Sequence, residues 1–414
     1  MNKMAITGNR LPLVSVVIPT HNRAHMVQES IASVRAQEGV GVLFDMEIVV
    51  VDDASSDATP EVLRAYPEIR YVRLPVNRGL SAARNEGIKA STGEYVAFND
   101  DDDLWLPYKL SLLVPALESD PHLSAAYAQM IVNCENTIAL VPDANAPSGH
   151  LFPMLLMKDC PVGILGILVR RDVFDSIGYF DETLTTYEDV DWVLRVAARY
   201  RIVFRPGPVA LYRLSMKGKY VTDIIEGRTE STLRTIVENA LKLLPPDCED
   251  YSRLRHEAFA RLELKVAEEL EWVEEYDRMR VHLEQAMKEF PPLFQESYVR
   301  TLIERQICLL AFRSKSPLAV VREVTKKLNA NGRGNGMSSF LSMRSLTAHI
   351  WLDIASRLTC ADKQQQSGAC LAAFHAILAN PLMIASPAIL NIFAHRMLAP
   401  RAYSALAKLR RKIL

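Results

Sequence analysis

Four consecutive aspartates, Asp100 to Asp103, are the residues of this chain most clearly able to do chemistry. They directly follow EYVAF (94–98), an apolar run typical of a buried strand. Adjacent carboxylates repel one another unless something positive binds them. Mg²⁺ or Mn²⁺ takes one or two carboxylates, keeps some waters and completes its shell with substrate phosphates. The run therefore predicts a divalent-metal site for a diphosphate substrate, and its other interpretation is an acidic, solvated turn.

Three further polar segments stand where a strand of the predicted sheet ends. Pro19–Arg23 follows the first strand, Asp52–Asp57 follows the second, and Asn77–Asn85 lies between the third strand and the next helix. Side chains at the carboxyl ends of neighbouring parallel strands face one crevice. Aspartates there can accept hydrogen bonds from a base or ribose, and arginines can pair with phosphate. Each segment alone could be an ordinary turn, so the prediction rests on their coincidence.

Short β-branched runs that alternate with helical stretches must position these segments. The predicted strands are LVSVVI (13–18), MEIVVV (46–51), YVRL (71–74) and EYVAF (94–98). Continuous apolar runs separated by helices predict an α/β fold with a mostly parallel, doubly wound sheet. Strand signals stop near Tyr220, and an all-helical C-terminal region is predicted from there on. We therefore expect a domain at 1–215 that carries the chemistry and a helical region at 216–414, with a hinge at 328–339.

Composition narrows the class of protein. The net charge of −1 gives no indication of nucleic-acid binding, and 49% hydrophobic with 23% charged residues is an ordinary soluble balance. The six cysteines occur singly, without a Cys-x-x-Cys, which favours reduced thiols over disulfides or a zinc site. The first residues lack the apolar core of a signal peptide. We expect a cytoplasmic protein.

Four segments together resemble the family 2 inverting glycosyltransferases. These segments are VSVVIPTHNR, VVVDDASSD, NRGLSAARNEGIKASTGEYVAFNDDDDLWLPYKL and FDETLTTYEDVDWVLRVA. The resemblance covers about the first 215 residues and implies the A-type nucleotide-diphospho-sugar transferase fold, which is Rossmann-like. It implies transfer of a sugar from a nucleotide diphosphate sugar, most commonly a UDP-sugar, to a hydroxyl of a glycan or lipid-linked acceptor. The setting implied is the synthesis of bacterial surface polysaccharide or glycoconjugate.

The resemblance also implies roles for individual residues. It places Thr20, Asn22 and Arg23 beside the nucleotide, Asp53 on the base and Arg84 near the ribose or phosphates. The full set of donor-binding residues that we expect is Thr20, Asn22, Arg23, Asp53, Arg84, Asp100 and Asp101. The Asp-x-Asp element falls on Asp100 and Asp102, and Asp102 is the expected direct ligand of Mg²⁺ or Mn²⁺. Asp189 matches the catalytic base of the family.

The chemistry of inversion agrees with a base at Asp189. One base must take the proton from the acceptor hydroxyl as it attacks, and a phosphate leaving group needs no protein acid. Glu188 and Asp189 open the predicted helix EDVDWVLRVAARY, where helix N-termini favour anionic side chains. That preference alone could explain both residues. Glu188 and Asp191 are candidate partners either for acceptor binding or for salt bridges such as one with Arg195.

One departure from the family pattern concerns the stretch Leu211–Lys217. Many relatives carry a histidine here in a Tyr-Arg-x-His context, and this chain has none. Lys217 or Lys219 could contact the diphosphate instead, or the metal could be held more weakly. The missing histidine supports an alternative function, a catalytically inactive, nucleotide-binding scaffold. The Gln-x-x-Arg-Trp element of processive synthases is also missing, which favours addition of a single sugar. A sugar nucleotidyltransferase or an NAD-linked dehydrogenase would need a glycine-rich loop that no strand here precedes.

Residues 363–414 contain no acidic residue. They carry seven cationic ones, which are Lys363, Arg396, Arg401, Lys408, Arg410, Arg411 and Lys412. An uncharged stretch within this segment is interrupted at Asn380-Pro381, which argues against a membrane span. An apolar face beside a cationic tail suits the surface of an anionic leaflet. We expect peripheral contact with the inner face of the cell membrane, and the alternative is a helical cap or a homodimer contact.

Overall fold

The apolar runs that mark the N-terminal strands form the centre of a mixed sheet. The structure, a computed structural model, describes residues 10–134, 137–157, 162–215 and 218–296. The strands in this part of the chain are β1 Leu13–Thr20, β2 Asp45–Asp52, β3 Arg70–Arg73, β4 Tyr95–Phe98, β5 Leu104–Trp105, β6 Leu123–Cys134, β7 Thr137–Val141, β8 Ile167–Arg170 and β9 Arg201–Leu214. Their order in the sheet is β3-β2-β1-β4-β8-β6-β9-β5, with β7 paired to β6.

Helices join and cover the strands. They are α1 Ala24–Arg35, α2 Thr59–Leu63, α3 Leu80–Ala90, α4 Lys109–Glu118, α5 Phe152–Met157, α6 Asp172–Ile177, α7 Glu188–Arg199, α8 Lys219–Ile225, α9 Arg228–Leu241, α10 Tyr251–Trp272 and α11 Tyr276–Glu289. Two short 3-10 helices lie at Ile164–Gly166 and Pro291–Gln295. The predicted α/β fold is therefore confirmed, with helices following the sheet.

The direction of the strands changes along the sheet. β1 pairs in parallel with β2 and β4, and β2 pairs in parallel with β3, because a helix joins each of these strands to the next. β8 then runs antiparallel to both β4 and β6. β6 and β9 are parallel to each other, whereas β5 is antiparallel to β9. The parallel half carries the polar segments that the sequence indicated, and the antiparallel strands complete the sheet beyond it.

Burial follows the apolar pattern of the strands. Val14, Val16 and Ile18 of β1 are fully buried in a cluster with Val27, Ile31 and Val34 of α1. On the opposite face Gly87 of α3 lies so close to β1 that a β-carbon there would stand 2.4 Å from Val17 Cγ1. This close approach sets α3 directly against the sheet and places the N-terminal half of α3 near the carboxyl ends of the parallel strands.

The chain divides into two compact units, with the boundary between Glu249 and Asp250. The first unit contains the whole sheet and also α8 and α9, which follow residue 215. In the second, α10 and α11 pack together, and Glu274 between them has a positive φ of 64°. The hinge expected at 328–339, Lys217 and the segment 363–414 lie outside the described residues. Among the helices that are described, none is both long and apolar enough to cross a bilayer.

Candidate active site

The four aspartates between β4 and β5 alternate between buried and accessible positions. Asp101 and Asp103 are 4% and 1% exposed. The side chains of Asp100 and Asp102 remain 24% and 33% accessible. The turn thus points two carboxylates inward, where protein groups must hold them, and leaves two at positions i and i+2 open to a ligand.

Asp101 is held by residues that follow β1. One carboxylate oxygen accepts a hydrogen bond from Thr20 Oγ1 at 2.7 Å, and the other accepts one from Arg23 Nη1 at 2.7 Å. The same Arg23 nitrogen lies 2.5 Å from the carboxylate of Asp102. Burial raises the pKa of Asp101 to about 6, although Arg23 and Thr20 oppose the rise. Thr20 and Arg23, both expected beside the nucleotide, therefore fasten the acidic run to the end of β1.

Asp103 is held from the other side by β9. Its Oδ1 accepts a hydrogen bond from the backbone N–H of Arg213 at 2.8 Å, and the Arg213 side chain donates to the backbone oxygen of Asp102. Burial and the neighbouring Asp100 raise the pKa of Asp103 to about 8. Burial, followed by the charges of all the nearby carboxylates, also raises the pKa of Tyr212. The Tyr-Arg pair of β9 thus packs against the run, a contact that sequence reasoning missed.

Arg84 connects the acidic run to the helix that carries Asp189. This arginine of α3 is only 1% exposed, and its Nη2 lies 2.7 and 2.9 Å from the two carboxylate oxygens of Asp100. Its Nη1 lies 2.5 Å from Glu188 Oε1. Burial and the adjacent Glu188 raise the pKa of Asp189, and the positive charge of Arg84 opposes the rise. One guanidinium therefore compensates carboxylates from two separate motifs.

Aromatic packing holds α7 beside β4. Trp192 of α7 is completely buried and stacks on Phe174 with ring centroids 5.0 Å apart. Phe98, the last residue of β4, meets Phe180 edge-to-face at 5.4 Å and Trp192 at 6.5 Å. Asp191 pairs with Arg195 at 2.9 Å, as the sequence suggested. This cluster fixes the first turn of α7 close to the end of the strand from which Asp100 follows.

Asn22 and Asp53 form a second network next to the first. The carboxylate of Asp53 accepts hydrogen bonds from the backbone N–H groups of Arg78 and Gly79 at 2.7 and 2.8 Å. Asn22, with a φ of 54°, accepts one from the backbone N–H of Ser56 at 2.7 Å. The backbone N–H of Asp53 donates to Thr20 O at 2.9 Å, which joins the two networks. Both residues organise the loops at the sheet edge, and their contact with a nucleotide stays a prediction.

The two accessible carboxylates fit part of a divalent-metal shell. Within the described residues, no three His, Cys, Asp or Glu side chains come together as a complete metal-binding group. Mg²⁺ and Mn²⁺ do not need such a group, because they bind through one or two carboxylates and take phosphate and water oxygens as well. Asp100 and Asp102, both partly accessible and both hard oxygen donors, match that requirement.

The expected residues thus fall at one edge of the sheet. One set of contacts joins Thr20, Arg23, Asp101 and Asp102, and a second joins Arg84, Asp100 and Glu188. The peptide bond between Asp100 and Asp101 links the two sets, and Asp189 follows Glu188 in the chain. Lys219, expected as a substitute for the missing histidine, donates to Thr185 O and lies 3.4 Å from Asp223. Arg213 and Glu188 are the network members to which sequence reasoning gave no definite contact.

Comparison with known proteins identifies the family to which the chain is similar. The family described as Glycosyl transferase family 2 matches residues 15–177. YwdF of Bacillus subtilis (strain 168), described as an uncharacterized glycosyltransferase, is 30% identical over 208 residues, or 50% of this chain and 75% of YwdF. The succinoglycan biosynthesis protein ExoO of Rhizobium meliloti (strain 1021) is 38% identical over 207 residues, or 46% of this chain and 56% of ExoO. The chain thus spans little more than half the length of ExoO.

A solved structure shows the same fold. The crystal structure of S. aureus TarS residues 1–349 superposes with a TM-score of 0.50 at 19% identity, over 73% of this chain and 88% of the TarS chain. At that identity the likeness concerns the fold alone. The family match over residues 15–177 and the 30% identity to YwdF over 75% of its length lead to one assignment. The chain belongs to glycosyl transferase family 2 and is a glycosyltransferase.

Proposed function

We propose that this enzyme transfers a single sugar, with inversion, from a nucleotide diphosphate sugar to a hydroxyl of a glycan or lipid-linked acceptor. The setting that we propose is the synthesis of bacterial surface polysaccharide or glycoconjugate. The observation that carries the proposal is the position of Arg84 between Asp100 and Glu188. It brings a candidate diphosphate site and a candidate base to one buried guanidinium. A donor whose diphosphate binds near Asp100 would present its sugar close to Asp189, the residue after Glu188.

Asp189 is the proposed base. An acceptor oxygen that attacks the anomeric carbon loses its proton, and the nucleoside diphosphate leaves with the electron pair of the broken bond. The raised pKa of Asp189 suits this task, because a stronger base accepts the proton more readily. Arg84 keeps enough positive charge nearby for the carboxylate to be ionised near neutral pH.

Asp102 and Asp100 are the residues proposed to hold Mg²⁺ or Mn²⁺. Such an ion, when bound, offsets the negative charge that develops on a diphosphate leaving group. Arg23 and Arg84 pair with these two carboxylates. These arginines are therefore placed to turn toward donor phosphate oxygens, which they can bind in a fork geometry. Thr20, Asn22, Asp53 and Asp101 are proposed to shape the nucleotide site around them.

The family resemblance makes a UDP-sugar the first donor to test. The relationship to ExoO, a succinoglycan biosynthesis protein, supports a polysaccharide pathway. The missing Gln-x-x-Arg-Trp element supports addition of one sugar in each reaction.

We further propose that the enzyme works at the inner face of the cell membrane. The support is the sequence of residues 363–414, which combines seven cationic residues with no acidic one. Cationic segments gain affinity for anionic leaflets, and salt screens this attraction. We expect the full chain to sediment with vesicles containing phosphatidylglycerol at low salt and to be released by high salt. If the chain does not bind these vesicles at low salt and is instead a dimer in solution, the membrane proposal is wrong.

Thermal-shift and turnover measurements test the proposed activity. We expect UDP, dTDP or GDP to raise the melting temperature more in the presence of Mn²⁺ than in EDTA, since a ligand of the folded state stabilises it by RT ln(1 + [L]/Kd). The matching nucleotide sugar should be hydrolysed slowly when no acceptor is present. Asp102→Asn should remove the effect of Mn²⁺. The matched control is Glu68→Gln, which changes one exposed acid before β3, at the opposite edge of the sheet.

Two results would count against the proposal. If metal has no effect on nucleotide binding, or if Asp102→Asn and Glu68→Gln behave alike, the assignment of the metal site is wrong. If nucleotide binds but no nucleotide sugar is turned over, with or without candidate acceptors, the chain acts as a binding scaffold.

A further inference from the structure

A pair of tyrosines lies immediately before the proposed base. Tyr187 is the residue that precedes α7, one position before Glu188 and two before Asp189. Tyr220 lies in the first turn of α8. The two rings meet edge-to-face, with centroids 5.9 Å apart and planes at 83°, and the two hydroxyl oxygens are 2.8 Å apart. Both side chains are partly exposed. We refer to these two residues as the tyrosine pair.

The backbone of Tyr187 is unusual for its residue type. Its φ of 58° and ψ of 18° place it in the left-handed region. Glycine occupies that region without cost and asparagine at little cost, whereas a bulky aromatic residue rarely does. Left-handed backbone at non-glycine residues is concentrated at functional sites. Its left-handed backbone and its partly exposed ring make Tyr187 a candidate for contact with a ligand.

The surrounding contacts hold the tyrosine pair in place. Lys219 donates a hydrogen bond to Thr185 O, which ties the start of α8 to the loop before Tyr187. Asp223, which is 1% exposed, pairs with Arg228 at 2.6 Å and so joins α8 to α9. The tyrosine pair is therefore a fixed feature of the first unit.

The two sides of the first turn of α7 differ in chemistry. On one side Glu188 contacts Arg84 and, through it, Asp100, where the donor diphosphate is proposed to bind. On the other side Tyr187 contacts Tyr220 of α8. An acceptor hydroxyl must come within about 2.6–3.2 Å of the Asp189 carboxylate to lose its proton. The rest of the acceptor molecule must then extend over residues next to this turn, on the side that the donor leaves open.

We propose that the tyrosine pair is the acceptor subsite and that the acceptor group it binds is a sugar ring. The inference rests on the proposed function, because it takes Asp189 as the base. A pyranose presents one face of C–H groups and a rim of hydroxyls. Two partly exposed phenol rings at a right angle offer an apolar face for the former and hydroxyl partners for the latter. An acyclic alcohol has no such face, so the pair selects for a ring.

Saturation-transfer NMR on the full chain tests this inference. The probes are methyl pyranosides of glucose, galactose, mannose and N-acetylglucosamine, in the presence of UDP and Mg²⁺. Sorbitol is the acyclic control. We expect at least one pyranoside to receive saturation at its C–H protons and sorbitol to receive none. Tyr220→Ala should lower the pyranoside signal at least fivefold relative to the UDP signal, whereas Tyr220→Phe, which keeps the ring, should retain most of it.

Tyr187→Gly separates ring chemistry from folding. Glycine suits the left-handed backbone of residue 187, so this variant removes the ring while relieving the conformational strain. The relieved strain offsets part of the lost contact with Tyr220, so we expect the variant to unfold cooperatively and still to lose the pyranoside signal. The matched control is Tyr251→Ala, which removes a partly exposed tyrosine at the first residue of α10 in the other unit. The pyranoside signal should be unchanged in that variant.

The outcomes distinguish this inference from the proposed function. Absence of any nucleotide signal in the parent, from UDP and from dTDP or GDP used in its place, would overturn the proposed donor site itself. A UDP signal without any pyranoside signal, or equal pyranoside signals in the parent, Tyr187→Gly and Tyr220→Ala, would overturn the acceptor subsite alone. Equal losses of the UDP and pyranoside signals in both variants would also overturn it, because the pair would then support the site as a whole.

Discussion

Replacing Arg84 by methionine should destabilise the protein far more than replacing an exposed arginine. Arg84 is 1% exposed, lies 2.7 Å from Asp100 and 2.5 Å from Glu188, and opposes the rise in the pKa of Asp189. Methionine fills a similar volume but leaves these carboxylates without a positive partner. Removing one partner of a buried ion pair costs about 3–5 kcal/mol. Because Arg84 pairs with two carboxylates, we expect a loss in the upper half of that range.

The matched control is Arg201→Met. Arg201 lies 3.5 Å from Asp120 in a pair whose side chains are 46% and 32% exposed. Exposed pairs contribute about 0–1 kcal/mol to the free energy of unfolding. Urea unfolding in EDTA, followed by tryptophan fluorescence, measures both losses, and the fully buried Trp192 reports on the unit that holds the site.

The pH dependence of the Arg84→Met loss provides a second readout. Without Arg84, the folded-state pKa of Asp189 lies further above its unfolded value. The stability of the variant is therefore greatest at low pH and falls as pH rises through those pKa values. We expect the deficit relative to the parent to be smaller at pH 5.5 than at pH 7.5. A deficit within about 1 kcal/mol of the Arg201→Met deficit, or one that does not depend on pH, would refute the role given to Arg84.

Three further substitutions test the site and its supports by urea unfolding. The pKa of Asp103 is raised to about 8 in the folded protein, so the free energy of unfolding without metal should decline as pH rises from 4 to 8. Asp103→Asn should reduce that slope by up to ~1.4 kcal/mol per pH unit, and an unchanged slope would contradict this role of Asp103. Gly87→Ala should cost about 1–3 kcal/mol because its new methyl meets Val17, and adding Val17→Ala should recover part of the loss unless the contact is unimportant. Asp53→Asn leaves the backbone N–H of Arg78 or Gly79 without its acceptor, so it should cost about 1–3 kcal/mol of stability and lower nucleotide affinity. A loss below about 0.5 kcal/mol would show that the loop does not need the carboxylate.

The parallel half of the fold could be predicted from the sequence because its signals are local. LVSVVI and MEIVVV are continuous apolar runs, and the helix that joins one strand to the next forces a parallel pairing. The later strands could not be placed in this way. β8 is four residues long and β5 only two, and their pairing with β4, β6 and β9 depends on contacts distant in sequence.

The sequence predicts which residues belong to the site better than it predicts the contacts between them. The ends of β1, β2 and β4 were expected to meet, so the approach of Thr20 and Arg23 to the acidic run follows from the topology. The alternation of buried and accessible aspartates depends on the turn between β4 and β5, which has no sequence signature. The bridge from Arg84 to Glu188 spans 104 residues and depends on how aromatic residues seat α7 against β4. The left-handed backbone of Tyr187 was equally unreadable, since neither glycine nor asparagine marks it.

The most direct test of the account is single-turnover transfer by Asp189→Asn. The parent, Asp189→Asn and Asp191→Asn would be compared at saturating nucleotide sugar and metal, with nucleotide affinity measured on the same samples. Asp191 lies in the same helical turn but is paired with Arg195, so its variant controls for a changed charge at this position. Loss of a general base costs about 10²–10⁴-fold in rate. We predict a loss of that size for Asp189→Asn, with nucleotide affinity retained and with transfer by Asp191→Asn near the parental rate. Transfer by Asp189→Asn at the parental rate would contradict the assignment of the base.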